Sequence, residues 1–300
     1  MIIAISMDIH LISSIFVTLQ LAIALPSNLI SFIIWTKGKK SKSLACSMYF
    51  RLITLTDALS VLNNFCSMWL ISYETHQVFS TFMSFFRFFL PSLSTWMMLC
   101  ISIERYLSLI CPFSFRPAGA RIRAIIAFVC LILILTGINS YVFIPNVVDS
   151  NYVIILAEIA SLWSLCIIPF VLINLTNILI TIKLCMMKQQ RLGQSRQPDH
   201  ATSFTKIAIT SCVLQSISVT PMMMYFLVLR GYVDWLDWKH LDLLASIVFS
   251  TLFLNNCFNF FIYYFNSSNF RSDFKEMCCC CCRRNTIHQS NATTIRSTSV

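Results

Sequence analysis

Charge is scarce in this chain. Asp, Glu, Lys and Arg make up 11% of its 300 residues, against roughly 25% in soluble domains. Glycine and proline are few as well, at five and eight, which leaves little material for a loop-rich soluble domain. No glycine-rich phosphate loop or nucleophile–base pair occurs, and the five histidines are scattered, so an enzyme is the least favoured class. No Cys-x-x-Cys pair stands at zinc-finger spacing from histidines, which argues against a metal site. The stretch from Met1 to His10 has no basic residue and so lacks the charged start of a signal peptide. The first apolar stretch is therefore expected to act as its own uncleaved insertion signal.

What the chain has instead is apolar length. It is 57% hydrophobic, with a mean hydropathy of +0.74. A helix needs about 20 mostly apolar residues to cross a bilayer. Seven stretches qualify: Leu11–Trp35, Cys46–Ser72, Phe79–Ile110, Ala124–Ile144, Val153–Leu184, Phe204–Leu229 and Leu241–Phe265. The expected class is an all-α membrane protein, a seven-transmembrane helix bundle. Residues 1–10 form a short extracellular N-terminus, 11–265 the bundle, 266–277 an amphipathic juxtamembrane helix and 278–300 a cytoplasmic tail. There is no internal repeat or soluble domain, and the polar loop Gln189–His200, with Gly193 and Pro198, reads as flexible.

The net charge of +10 is a topology signal rather than a nucleic-acid footprint. The loop after span one carries Lys37, Lys39, Lys40 and Lys42, and the loop after span three Arg116, Arg121 and Arg123. Lys188, Arg191 and Arg196 follow span five, and the tail adds Arg271, Lys275, Arg283 and Arg284. The opposite loops hold only Arg230 and Lys239, beside Glu74, Asp149, Asp234 and Asp237. Cytoplasmic loops are the basic ones, so the N-terminus is expected outside and the tail inside.

Phe270, Phe274 and Met277 fall on one helical face and Arg271 and Lys275 on another, the pattern of a helix lying on the inner leaflet. The chain has fourteen cysteines, five of them consecutive, Cys278, Cys279, Cys280, Cys281 and Cys282. Adjacent thiols cannot meet disulfide geometry among themselves. Beside a basic amphipathic helix they are suited to palmitoylation; the plainer alternative is a row of unmodified thiols.

Asp57 lies midway along the second stretch, and an ionisable residue at that depth calls for a partner. Asn28, Ser94, Asn255 and Asn259 supply candidate polar groups. Glu104-Arg105-Tyr106 ends the third stretch, just before Pro112, and Asn259-Phe260-Phe261-Ile262-Tyr263 ends the seventh, followed by Phe270-Arg271-Ser272-Asp273-Phe274. Together these motifs, in this order and spacing, resemble rhodopsin-like (class A) G-protein-coupled receptors, from Asn28 to Phe274. The run from Asn259 to Phe265 is most similar to invertebrate neuropeptide receptors, including those for FMRFamide-like peptides.

The resemblance implies roles. Glu104 would pair with Arg105 at rest, and Arg105 would meet a heterotrimeric G-protein once the sixth helix moves outward; otherwise Arg105 is an arginine snorkelling to the interface. Tyr263 would swing inward, and Pro169 and Pro221 would hinge the fifth and sixth helices. Asp57, Ser94, Asn255 and Asn259 match positions that hold a sodium ion. The alternative is a protonated Asp57 in a hydrogen-bonded helix contact. No other cofactor is implied.

Departures accompany the match. Phe260 replaces a seventh-span proline, Val219 a sixth-span tryptophan and Asn177 a fifth-span tyrosine. The fourth span has no tryptophan. Ser80 stands in place of a disulfide cysteine, and the loop between Ile144 and Val153 lacks the partner.

Arg87 near the outer end of span three argues against an amine ligand, which needs an aspartate there, and Phe253 excludes retinal attachment. Arg87 with Tyr225, Trp235 and Asp242 forms the expected ligand pocket, suited to carboxylate or amide oxygens. Alternatively, Arg87 snorkels outward or pairs with Asp242. The expected function is a plasma-membrane receptor for an extracellular ligand, with a neuropeptide first and a small chemosensory molecule second. The rival classes are a transporter or channel, and a signalling-dead relative that kept the fold.

Overall fold

The structure, a computed structural model, describes residues 2–42, 46–70, 77–111, 119–143, 163, 167–190, 200–225, 244, 247–248 and 250–279. These are almost entirely helical: α1 Ile2–Lys37, α2 Ser47–Leu70, α3 Gln77–Ile110, α4 Ala120–Asn139, α5 Ile168–Gln190, α6 His200–Met224 and α7 Leu254–Asn266. A further helix, α8, covers residues 268–279. Long apolar stretches adopt this form because lipid offers no partner for a backbone N–H or C=O, and a helix satisfies both internally.

Five helices are long and apolar enough to cross a membrane: Leu11–Lys37, Val78–Ile110, Ala120–Phe143, Ile168–Met187 and Lys206–Met224. The second and seventh expected spans do not reach that standard. Only 13 residues of α7 form its described continuous helix. α2 is long enough at 24 residues but less apolar, because it turns Thr54, Asp57, Ser60, Asn63 and Asn64 into the protein. α1 begins at Ile2, so the helix runs through the segment expected as a short N-terminus. The juxtamembrane helix begins two residues later than expected and continues to residue 279.

The order of packing closes on itself. α1 packs against α2 and α7, α7 against α6, and α6 against α5, while α3 touches α2, α4, α5 and α6. The most apolar window of α3 is 67% buried, against 17% for α4 and for α5. α3 is therefore the central post, and α4 and α5 present their apolar side chains outward.

Polarity is reversed relative to a soluble bundle. Leu19, Ile126, Leu133, Leu175, Ile178 and Ile217 are among the exposed large side chains, whereas Asn28, Asp57, Gln215, Asn255 and Asn259 are buried. Exposed apolar area of this extent is stable only against another apolar phase. The chain is a membrane-embedded helical protein.

Chain reversals are capped by side chains. Arg51 on α2 donates from Nε to the Trp35 carbonyl near the end of α1 at 2.8 Å. Ser267 breaks from α7 in an extended conformation, φ −119° and ψ 113°. Its hydroxyl then accepts the Phe270 N–H at 3.2 Å, the N-cap that starts α8. Arg271 Nη1 donates to the Tyr264 and Phe265 carbonyls at 2.9 and 2.8 Å, placing a cation where the α7 dipole is negative.

Prolines sit inside α1 (Pro26), α3 (Pro91) and α6 (Pro221). Each removes one helical hydrogen bond. Of the two expected hinges, Pro221 lies inside its helix. Pro169 lies near the start of the described stretch of α5, two residues after Ile167, which is itself helical.

Candidate functional site

Helical periodicity puts Thr54, Asp57 and Ser60 on the same side of α2, and all three are buried. Asn259 Nδ2 on α7 donates to Asp57 Oδ2, a contact across 202 residues of chain. Ser94 of α3 lies beside the same carboxylate. The two are within hydrogen-bonding reach of each other, although neither the Ser94 hydroxyl nor Asp57 Oδ1 makes a regular hydrogen bond among the described residues.

A second network lies next along α3 and α7. Gln215 Nε2 on α6 donates to Thr95 Oγ1 at 2.9 Å, and Asn255 Nδ2 donates to Gln215 Oε1. Asn28 Nδ2 on α1 donates instead to the Asn256 carbonyl at 2.7 Å. Of the five residues expected in one polar core, the structure gathers Asp57, Ser94 and Asn259; Asn255 is held by Gln215, and Asn28 ties α1 to α7. Sequence reasoning missed Gln215 and Thr95. The signal available was a lone amide in the apolar stretch of α6.

Asp57 Oδ1, Ser94 Oγ and Asn255 Oδ1 are buried and unpartnered. An orphaned buried oxygen is costly, and a carboxylate with neutral oxygens is a donor set for a small hard cation. The residues brought together thus fit a sodium ion in part: Asp57 would supply the charge and Ser94 a neutral oxygen, while Asn255 is turned to Gln215.

Glu104 and Arg105, near the end of α3, do not pair with each other. The Glu104 carboxylate is held by Arg123 of α4, whose Nε lies 3.1 Å from both oxygens and whose Nη2 also donates to Oε1. Tyr49 of α2 adds its hydroxyl at 3.3 Å. Arg105 sends Nη2 to Cys46 Sγ, just before α2. Adjacent helical residues point about 100° apart, so two neighbours naturally reach different helices. Arg123, read from sequence only as a topology marker, proves to be Glu104's main partner. Tyr106 is half-buried on the same helix.

Tyr263 is 0% exposed, and its hydroxyl has no hydrogen-bond partner. Its ring packs against Trp35 of α1 at 5.5 Å, Phe50 of α2 at 5.0 Å and Phe270 of α8 at 5.6 Å. Phe260 contacts Phe270 at 5.8 Å and Phe274 at 5.3 Å. It therefore packs α7 against α8. Val219 is buried with Met222, Leu252 and Phe253.

Asp273 ties α8 to the loop after α1. Its Oδ2 accepts the Ser41 N–H at 2.7 Å and the Lys40 N–H at 3.1 Å. Lys39 Nζ reaches Glu276 at 2.8 Å, and Lys40 Nζ reaches Ser272 at 2.9 Å. The motif containing Asp273 was visible in sequence, but its role was not.

Of the expected ligand pocket, Arg87 is partly buried on α3 and Tyr225 follows α6 beside the cluster of Val219 and Phe253. Trp235 and Asp242 lie outside the described residues. Cys278 and Cys279 are exposed at the end of α8, and Cys280, Cys281 and Cys282 lie outside the described residues. No family model matches this sequence, and no curated protein matches it either.

Proposed function

We propose that this chain is a rhodopsin-like G-protein-coupled receptor, a seven-helix protein of the plasma membrane with its N-terminus outside. It passes the signal of an extracellular ligand, in first place a neuropeptide, to a heterotrimeric G-protein. The observation that carries this reading is the buried Asp57–Asn259 contact. A carboxylate held inside an apolar bundle by a residue of the last helix makes the α2–α7 contact sensitive to charge, and so to state.

The arrangement described is the closed one in this reading. Glu104 is bonded to α4 and α2, and Arg105 lies against Cys46, so the helix ends are tied together where a G-protein would enter. A ligand acts by binding the open arrangement more tightly than the closed one. Asp57 and Ser94 would hold a sodium ion, whose charge would offset that of the carboxylate and favour the closed arrangement. Acylation of the run from Cys278 to Cys282 would fasten α8 to the inner leaflet.

A peptide-library screen on cells that co-express the chain with a promiscuous G-protein tests the proposal. A peptide class that raises nucleotide exchange is the expected result. Failure to exchange nucleotide on any G-protein, even at high expression, would overturn it. Solute flux through liposomes containing the purified protein would move the assignment to a transporter.

A further inference from the structure

α5 and α6 enclose a groove of about 250 Å³, lined by Asn174, Asn177, Thr181 and Cys212 together with apolar side chains such as Ile178 and Val213. The groove faces the bundle's outside: Ile178 is 57% exposed and Val213 54% exposed. In a membrane-embedded helical protein, that direction is lipid.

The polar groups of the groove are not equivalent. Asn174 is occupied, exchanging hydrogen bonds with Ser216 of α6 at 3.1 and 3.3 Å. Thr181 donates to the Asn177 carbonyl at 2.8 Å, and Cys212 sits 3.7 Å from Ser102 of α3. Asn177 differs. The Cys212 thiol lies against it, but neither its buried amide nitrogen nor its buried amide oxygen makes a regular hydrogen bond among the described residues. A primary amide shielded from water and left unpaired at both ends is strongly unfavourable. Hydrocarbon tails cannot relieve it.

We infer that this groove binds a neutral, hydroxyl-headed lipid drawn from the bilayer, with Asn177 as its anchor. A hydroxyl both donates and accepts, so a single head group placed between Asn177 Oδ1 and Nδ2 satisfies both orphaned atoms. Among the described residues no Asp, Glu, Lys or Arg lines the groove, so a phosphate or free carboxylate head would enter without a counter-charge, which the low dielectric penalises. The apolar body then lies along Ile178 and Val213, where the exposed side chains already meet lipid. Bound there, the lipid bridges α5 and α6. The inference concerns binding alone and does not depend on the receptor reading.

The test uses the full chain in lipid nanodiscs with two photoreactive probes, a diazirine-bearing sterol and a diazirine-bearing monoacylglycerol, so that the arms separate the two sources of the same head group. Crosslinks are mapped by peptide sequencing. The expected result is saturable labelling of α5 and α6 by at least one probe, competed by its unlabelled parent. Asn177→Leu should lower that labelling about thirtyfold, the effect of losing two neutral hydrogen bonds of about 1 kcal/mol each. Val213→Trp, which narrows the mouth and leaves the amide intact, should lower it as well. Thermal unfolding of each variant establishes that it is folded. Labelling that is unsaturable, that maps evenly over the bundle, or that persists unchanged in folded Asn177→Leu would overturn the assignment, and so would a well in which only water satisfies the amide and neither probe labels.

Discussion

The Glu104 carboxylate is bonded to Arg123 and not to its neighbour Arg105. Arg123 supplies three hydrogen bonds from α4, and the side chain of Glu104 is only 9% exposed while that of Arg123 is 29% exposed. A carboxylate so shielded depends on its partner far more than a surface acid does. The pair fastens the end of the central helix to a peripheral one.

A double-mutant cycle over Glu104→Gln and Arg123→Gln should return a coupling of about 1–2 kcal/mol in thermal unfolding of the purified protein. The value is held below that of a fully buried pair because Arg123 remains partly solvated. Additive single substitutions would remove the pair from the account of stability.

Arg105→Ala should abolish ligand-driven nucleotide exchange while leaving surface expression near that of the parent. Arg105 contacts Cys46 in the closed arrangement and is not the partner of the buried Glu104, so folding does not hinge on it. An intact response in this variant would take Arg105 out of the mechanism.

Asp57→Asn keeps the size of the side chain and removes its charge. The Asn259 contact then weakens from a charge-assisted bond to a neutral one, roughly halving its strength. Basal activity should shift, and any dependence of that activity on sodium should disappear. Identical basal and stimulated activity in the parent and the variant, with and without sodium, would count against the polar core as a switch.

The loop after α1 and helix α8 should unfold or detach together. Asp273→Ala strips the acceptor from the Lys40 and Ser41 N–H groups and should cost about 1–3 kcal/mol. Gly38→Ala should be at least as harmful, because its Cβ would stand 2.5 Å from Asp273 Oδ2 and 2.6 Å from the Ile34 carbonyl oxygen. That carbonyl also accepts the Gly38 N–H at 2.8 Å and cannot retreat. Hydrogen exchange at residues 38–42 reads both effects; protection equal to the parent's would refute the strap.

Replacing all five residues from Cys278 to Cys282 by serine should eliminate hydroxylamine-sensitive acyl exchange and loosen α8 from the membrane. A single acyl chain contributes marginal anchoring and a second makes it stable, so partial replacement should show a graded loss. Absence of any acyl exchange in the parent chain would mean that these thiols stay unmodified.

Helical class, apolar lengths, the burial of Asp57 and the amphipathic face of Phe270, Phe274 and Met277 were all legible in the amino-acid order. Each follows from local periodicity and from the cost of polar groups in lipid, and both are properties of one segment at a time. The choice of partners was not. Glu104 could reach Arg105 or a neighbouring helix, and only the packing of α3 against α4 brings Arg123 within hydrogen-bonding distance. Asn255 could serve Asp57 or Gln215, and the placement of α6 beside α7 decides for Gln215. Phe260 broke a family pattern in sequence, yet in space it joins α7 to α8 through Phe270 and Phe274. Side-chain pairing between helices is set by how they rotate and cross in three dimensions, and no periodicity within a single stretch encodes that geometry.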